Sequence, residues 1–121
     1  DLTYLFITHD LATAKYVCDR IAIMYLGKFV EIGPLKDVYE NHGHPYTRAL
    51  LEAVPVPDPR YRRTETMPAG EIPSAIDPPT GCRFHPRCPI ARDNCAEEVP
   101  PLRELRPQHF IACHYAEDLL N

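Results

Sequence analysis

LTYLFITHDLATAKYVCDRIAIMYLGKFVEIG, residues 2–33, carries the local order that sets the fold class. Leu2 to Ile7 is an almost uninterrupted apolar, β-prone run, which reads as a strand buried on both faces, as in the middle of a parallel sheet. Thr8-His9-Asp10 follows at its carboxyl end. LATAKYVC then has helical spacing, with Leu11, Ala14, Val17 and Cys18 on one side and Asp10 as N-cap. Cys18 reads most simply as a small core residue of that stripe. Arg20 to Tyr25 and Lys28 to Ile32 are short strands, with Gly27 supplying the positive φ of a tight turn between them. Strand, helix and hairpin make this an α/β chain. The first residue is Asp1 rather than Met and leads directly into a strand of buried type, so the expectation is a fragment whose upstream sheet is missing.

Beyond the hairpin, Gly33-Pro34 opens a helix that LKDVYEN continues until Gly43 stops it. Pro45 opens another, in which Tyr46, Ala49, Leu50 and Ala53 form one apolar stripe. The character of the chain then changes. Seven prolines between Pro55 and Pro79 predict an extended linker with short edge strands. The expected organisation is residues 1–54 as the end of an α/β core, 55–79 as proline-rich linker, and 80–121 as a small cysteine-bearing unit, with the boundary near Val54 to Arg63.

Composition excludes several classes. The 121 residues are 45% hydrophobic and 25% charged, ordinary for a globular protein of one domain or two small ones. A net charge of -4 argues against a nucleic-acid partner, because such modules carry an excess of basic residues to neutralise phosphates. The run Arg60, Arg62, Arg63 reads as solvated linker. No stretch approaches the roughly 20 apolar residues of a membrane span, and no signal-peptide pattern opens the chain.

The last third is organised by Cys82, Cys88, Cys95 and Cys113, four of the five cysteines, separated by five, six and seventeen residues. Pro86, Pro89, Pro100, Pro101 and Pro107 fall among them, a composition that predicts neither a long helix nor a central strand. Four thiolates on one metal centre, or two disulfides, are the two ways to staple such a segment. Zinc ligands usually come in pairs two to four residues apart, since four sulfurs must sit about 2.3 Å from one ion. The gaps here are wide for zinc and suit the separated corners of a four-iron cluster better, although they are not the ferredoxin pattern. Arg83, Arg87, Arg92, Arg103 and Arg106 would offset cluster charge, or are simply surface arginines. His85, His109 and His114 are candidate substitute ligands, with surface or packing roles as the plainer reading. His44, beside Gly43, reads as a helix-capping or packing residue.

His9 stands where a strand meets a helix start, the edge of an open α/β sheet at which ligands bind. The stretch from Tyr4 to Gly33 resembles the C-terminal part of the nucleotide-binding domain of ABC transporters. Met24, Gly27, Val30, Glu31 and Gly33 match its M-x-x-G-x-x-V-E-x-G hairpin. On that resemblance His9 is the switch histidine that contacts the γ-phosphate of ATP and helps hold the hydrolytic water, a role of positioning and charge stabilisation. His44-Pro45-Tyr46 and the cysteine segment further resemble the C-terminal extension of the ATPase subunits of oligopeptide and dipeptide importers. That resemblance implies an ATP- and Mg-dependent parent enzyme that pairs with a second ATPase subunit and with membrane permease subunits. It implies a cytoplasmic position, peripheral to the inner face of the cell membrane. It also implies that Cys82, Cys88, Cys95 and Cys113 can hold a [4Fe-4S] cluster, with zinc or disulfides as alternatives.

The phosphate-cradling G-x-x-x-x-G-K-[ST] loop, the LSGGQ-like signature and an upstream aspartate-glutamate pair are not in these residues, so the fragment alone is expected to be inactive. An unpartnered strand at Leu2 to Ile7 further predicts that the isolated fragment dimerises or swaps strands. Two other classes stay open at this point. One is a stand-alone metal-binding interaction module unrelated to ATP; the other is a disulfide-stapled secreted domain.

Overall fold

The computed structural model describes residues 2–54, 60 and 74–120. In chain order the elements are α1 (Leu11–Val17), β1 (Arg20–Tyr25), β2 (Lys28–Pro34), α2 (Leu35–Glu40), α3 (Pro45–Glu52), β3 (Arg103–Arg106) and β4 (His109–Ile111). Single turns of 3-10 helix at His85–Arg87, Asp93–Ala96 and Ala116–Asp118 complete the set. None of the described helices is long and apolar enough to cross a membrane.

Local chemistry explains the first elements. The Asp10 carboxylate accepts from the N–H groups of Ala12 and Thr13 at 3.0 and 3.2 Å, which caps α1 as its sequence predicts. Strands β1 and β2 pair antiparallel from Arg20 opposite Pro34 to Tyr25 opposite Lys28. Their turn takes positive φ at both Leu26 (48°) and Gly27 (79°), the twist that a two-residue hairpin requires. Leu26 is the costly half of that turn, and the Arg83 guanidinium donates to its carbonyl. Pro34 is still in the ladder opposite Arg20, so α2 starts at Leu35 and ends at Glu40, short of Gly43. In α3, Pro45 takes the first helical position and His44 the cap, as expected. Its buried residues are Pro45, Thr47 and Ala49, while Tyr46 and Leu50 pack on the core only in part.

The sheet order is β1-β2-β4-β3, all antiparallel. Glu31 lies opposite Ile111 and Ile32 opposite Phe110, so the cysteine-bearing segment extends the hairpin's own sheet. This corrects the expectation that the segment makes no central strand. Pro100, Pro101 and Pro107 bracket the pair β3–β4 without entering it, which leaves the N–H groups of residues 109–111 able to join the ladder.

Two further expectations fail. Leu2 to Ile7 forms no strand and is exposed, Leu5 to 91%, because a strand needs a ladder partner and none of the described residues pairs with it. Cys18 is only half-buried at the end of α1, whose one buried residue is Ala14. The linker and edge strands expected over 55–79 fall on residues 55–59 and 61–73, outside the described residues. Residues 74–79 carry no strand.

The core lies on the hairpin. Ile23, Tyr25 and Val30 meet Val38 of α2 and Phe84 of the cysteine segment, with Cys82 and Cys88 packed at the edge. Phe84 is 1% exposed and meets Tyr25 edge to face at 5.2 Å and Tyr46 at 5.3 Å between ring centres. Each such pair contributes about 0.5–1.5 kcal/mol beyond its burial. A second cluster, Ile111, Cys113 and Ala116, lies beyond β4. The cysteine segment therefore has an apolar anchorage of its own, more than its composition suggested.

Candidate functional site

Backbone geometry brings the cysteines together. Gly81 has φ +67°, and a Cβ there would lie 2.4 Å from the Cys95 carbonyl oxygen, so only glycine lets the two strands of backbone touch. The contact is sealed by the Cys82 N–H donating to the Cys95 carbonyl at 2.7 Å and by Thr80 Oγ1 donating to the Ala96 carbonyl at 2.8 Å. From Cys82 the chain coils directly to Cys88, with the His85 N–H on the Cys82 carbonyl and the Cys88 N–H on the His85 carbonyl. Cys95 sits in the turn Asp93–Ala96, where the Arg92 N–H points at its sulfur over 3.5 Å. Cys113 follows β4, and its carbonyl accepts from Arg103 Nη2 at 2.8 Å.

All four cysteines line one small void of about 10 Å³ between α3 and the turns, together with His44, His85 and His114. That volume admits about one water-sized body. All five cysteines are free thiols. Among the described residues no group of three or more His, Cys, Asp or Glu side chains is set to grip a single ion. The sulfurs thus surround a space rather than converge on a point. Burial pushes the Cys82 thiol up, Cys88 up to about 11 and Cys113 up to about 12, and the neighbouring cysteines add to the rise. Without a cation the pocket holds neutral thiols.

The arginines around this pocket brace the scaffold. Arg83 holds the hairpin turn and Arg87 Nη1 lies 3.4 Å from the Tyr25 hydroxyl. Arg92 pairs with Asp118 at 2.9 Å and lies over the Tyr115 ring at 3.8 Å. Arg103 pairs with Glu117 at 2.7 Å.

Among the candidate histidines, His85 and His114 line the void, whereas His109 is removed from it. Its Nε2 lies 2.5 Å from Glu31 Oε2, and both side chains are fully buried. The same carboxylate accepts from the Gly43 N–H at 3.0 Å and the His44 N–H at 3.1 Å. Sequence reasoning missed this knot, and its one trace was an acidic residue between Val30 and Ile32 in an otherwise apolar strand. The His44 ring, 1% exposed, accepts from the Tyr46 N–H at Nδ1 over 3.0 Å and caps α3. Burial pushes its imidazole down to about 3. His9 is exposed in the loop before α1 and takes no part in lining the void.

Residues 30–95, more than half of the chain, match the model of the oligopeptide/dipeptide transporter C-terminal region. The chain belongs to this family. The span matched to the oligopeptide/dipeptide transporter family reaches from β2 through His44-Pro45-Tyr46 to Cys82, Cys88 and Cys95, while His9 and Cys113 lie outside it. A putative peptide import ATP-binding protein of Brucella ovis is 54% identical over 112 residues, which is 93% of this chain and 35% of that protein. An oligopeptide transport ATP-binding protein of Bacillus subtilis is 47% identical over 116 residues, 94% of this chain and 35% of its own length. A probable peptide ABC transporter ATP-binding protein of Sinorhizobium fredii is 48% identical over 113 residues, 93% of this chain and 32% of its own. The chain thus spans about a third of the length of the curated relatives it matches. Family membership sets aside the stand-alone module unrelated to ATP.

Proposed function

We propose that these residues are the C-terminal part of the ATP-hydrolysing subunit of a peptide importer. The observation that carries this reading is the near end-to-end similarity to peptide import ATP-binding proteins. The parent subunit works with a second ATPase subunit and with membrane permease subunits at the cytoplasmic face of the membrane, and ATP with Mg is held mainly by parts of the protein outside these residues. His9 is the switch histidine. Its exposure before the capped start of α1 suits a side chain that reaches across to a γ-phosphate and orients the attacking water. His9→Ala in the full-length subunit is expected to lower the turnover number about a hundredfold or more with little change in ATP affinity, since the contact matters most as charge develops. Unchanged turnover would remove His9 from the mechanism.

Cys82, Cys88, Cys95 and Cys113 are the residues that would hold a [4Fe-4S] cluster. What supports this is a set of four unpaired thiols on one void, with spacing too wide for paired zinc ligands. When bound, such a cluster supplies a one-electron couple and four metal–thiolate bonds that cross-brace the segment. The chain's part is to give up four thiol protons, which the raised pKa values make dependent on the cation's arrival. Zinc is the second reading, favoured by the small volume of the void. Iron, zinc and acid-labile sulfide measured on anaerobically purified full-length subunit separate the two. About four iron and four sulfide per chain are expected, lost in Cys88→Ser. Stoichiometric zinc without iron would replace the cluster and leave the family reading intact.

A further inference from the structure

Three histidines line the void with the four cysteines, and their hydrogen bonds decide where each ring carries its hydrogen. His85 Nδ1 lies 2.7 Å from the Cys82 carbonyl oxygen. A carbonyl only accepts, so the hydrogen is on Nδ1, and a neutral His85 keeps only a lone pair at Nε2. His114 is engaged in the same way through Nε2, 2.9 Å from the Glu98 carbonyl, and keeps a lone pair at Nδ1. His44 is the reverse. Its Nδ1 accepts from the Tyr46 N–H, so the neutral ring carries its hydrogen on Nε2, which makes no hydrogen bond among the described residues.

The ring is also held in place. The Glu31 carboxylate fixes the His44 backbone N–H at 3.1 Å, Pro45 follows, and Phe84 packs 5.9 Å away between ring centres. Arg83, Arg92 and Arg103, the charged side chains nearest in sequence to the cysteines, are engaged with Leu26, Asp118, Glu117 and the Cys113 carbonyl.

We propose that His44 is a positioning residue of the four-cysteine centre, its Nε2–H donating to cysteine sulfur once metal binding has made it a thiolate. This rests on the reading that the four cysteines bind metal. A charge-assisted N–H···S bond stabilises negative charge that an apolar void otherwise penalises, and it joins the metal centre to the start of α3 through one side chain.

The test uses the full-length subunit purified anaerobically, with iron and zinc content measured first and then the rate of metal loss to excess chelator. His44→Asn keeps an acceptor oxygen where Nδ1 caps the helix but lacks the reach of Nε2. His44→Gln keeps an N–H at the far end and loses the near acceptor. The asparagine variant is expected to lose metal about tenfold faster or more while melting close to wild type, and an iron form to show a lower midpoint potential. The glutamine variant is expected to keep metal at the wild-type rate and to melt earlier. His114→Asn, at a ring already engaged by Glu98, is expected to leave the rate unchanged. Equal metal loss from wild type and His44→Asn, or equal acceleration in all three variants, overturns the role of His44 and leaves the cysteine reading standing. A wild-type subunit holding neither iron nor zinc overturns both.

Discussion

Glu31 is fully buried, and its carboxylate takes three donors: the Gly43 and His44 N–H groups and His109 Nε2. Those donors belong to the turn before α3 and to β4, so one side chain ties the hairpin to both. Removing it strands all of them in the interior, where an unpaired polar group forfeits its hydration with no return. Glu31→Ala is expected to destabilise by about 3–5 kcal/mol, and Glu31→Gln by less because one acceptor oxygen remains. Denaturant unfolding of both variants reads this directly, and an alanine cost under about 1 kcal/mol would show that the knot does not hold the fold. The sequence displayed Glu31 only as one letter of a hairpin pattern. On a strand, neighbours point to opposite faces, so an acid beside buried Val30 reads as the solvent face. That face is instead covered by the turn before α3 and by β4, from 78 residues away in the chain.

Helix α3 starts on a histidine that works only when neutral. The unfolded chain takes up a proton near the ordinary imidazole value of 6.5, while the folded chain resists until about 3. The unfolded state therefore binds more protons between those values. Stability from this group is complete above about pH 6.5 and drains away as the pH falls toward 3, by at most about 1.4 kcal/mol per pH unit. Carboxylates join in below about pH 5, so pH 5 to 6.5 is the telling window. Urea midpoints across it are expected to fall more steeply for wild type than for His44→Asn, which cannot titrate; parallel falls would mean that the ring charges without penalty. The element scale also shows what is readable from residues alone. The Asp10 cap, the Gly27 turn and Pro45 at the head of α3 are decided by neighbours in sequence, and all three stand as read. Strand β4 and the unpaired run from Leu2 to Ile7 depend on a distant partner, present for one and lacking for the other among the described residues. Local pattern carries no record of that.

At the scale of the molecule, the α/β hairpin and the cysteine segment share a sheet and a core, with Phe84 and β4 on one side and Tyr25 and β2 on the other. The void lined by the four cysteines, with His44 among them, is thereby fixed to the hairpin rather than hung on a linker. What the 121 residues leave uncovered is the stretch before α1, where Leu2, Tyr4, Leu5 and Ile7 are exposed to 79%, 80%, 91% and 86%. A contiguous apolar, β-prone segment with unmet backbone hydrogen bonds seeks a partner strand, and a second copy is the partner at hand in a pure solution. The 121-residue chain on its own is therefore expected to elute from gel filtration as a dimer or larger species. Replacing Leu5 and Ile7 by lysine should return it to a monomer, since like charges face each other wherever two copies pair. The same preparation is expected to show no ATP turnover, because these residues contain no phosphate-cradling loop for His9 to act with. Association and catalysis fail or succeed separately: a sharp monomer peak for the unaltered chain would sink the account of the exposed run, and measurable hydrolysis would sink the account of His9 as one part of a site completed by the rest of the subunit.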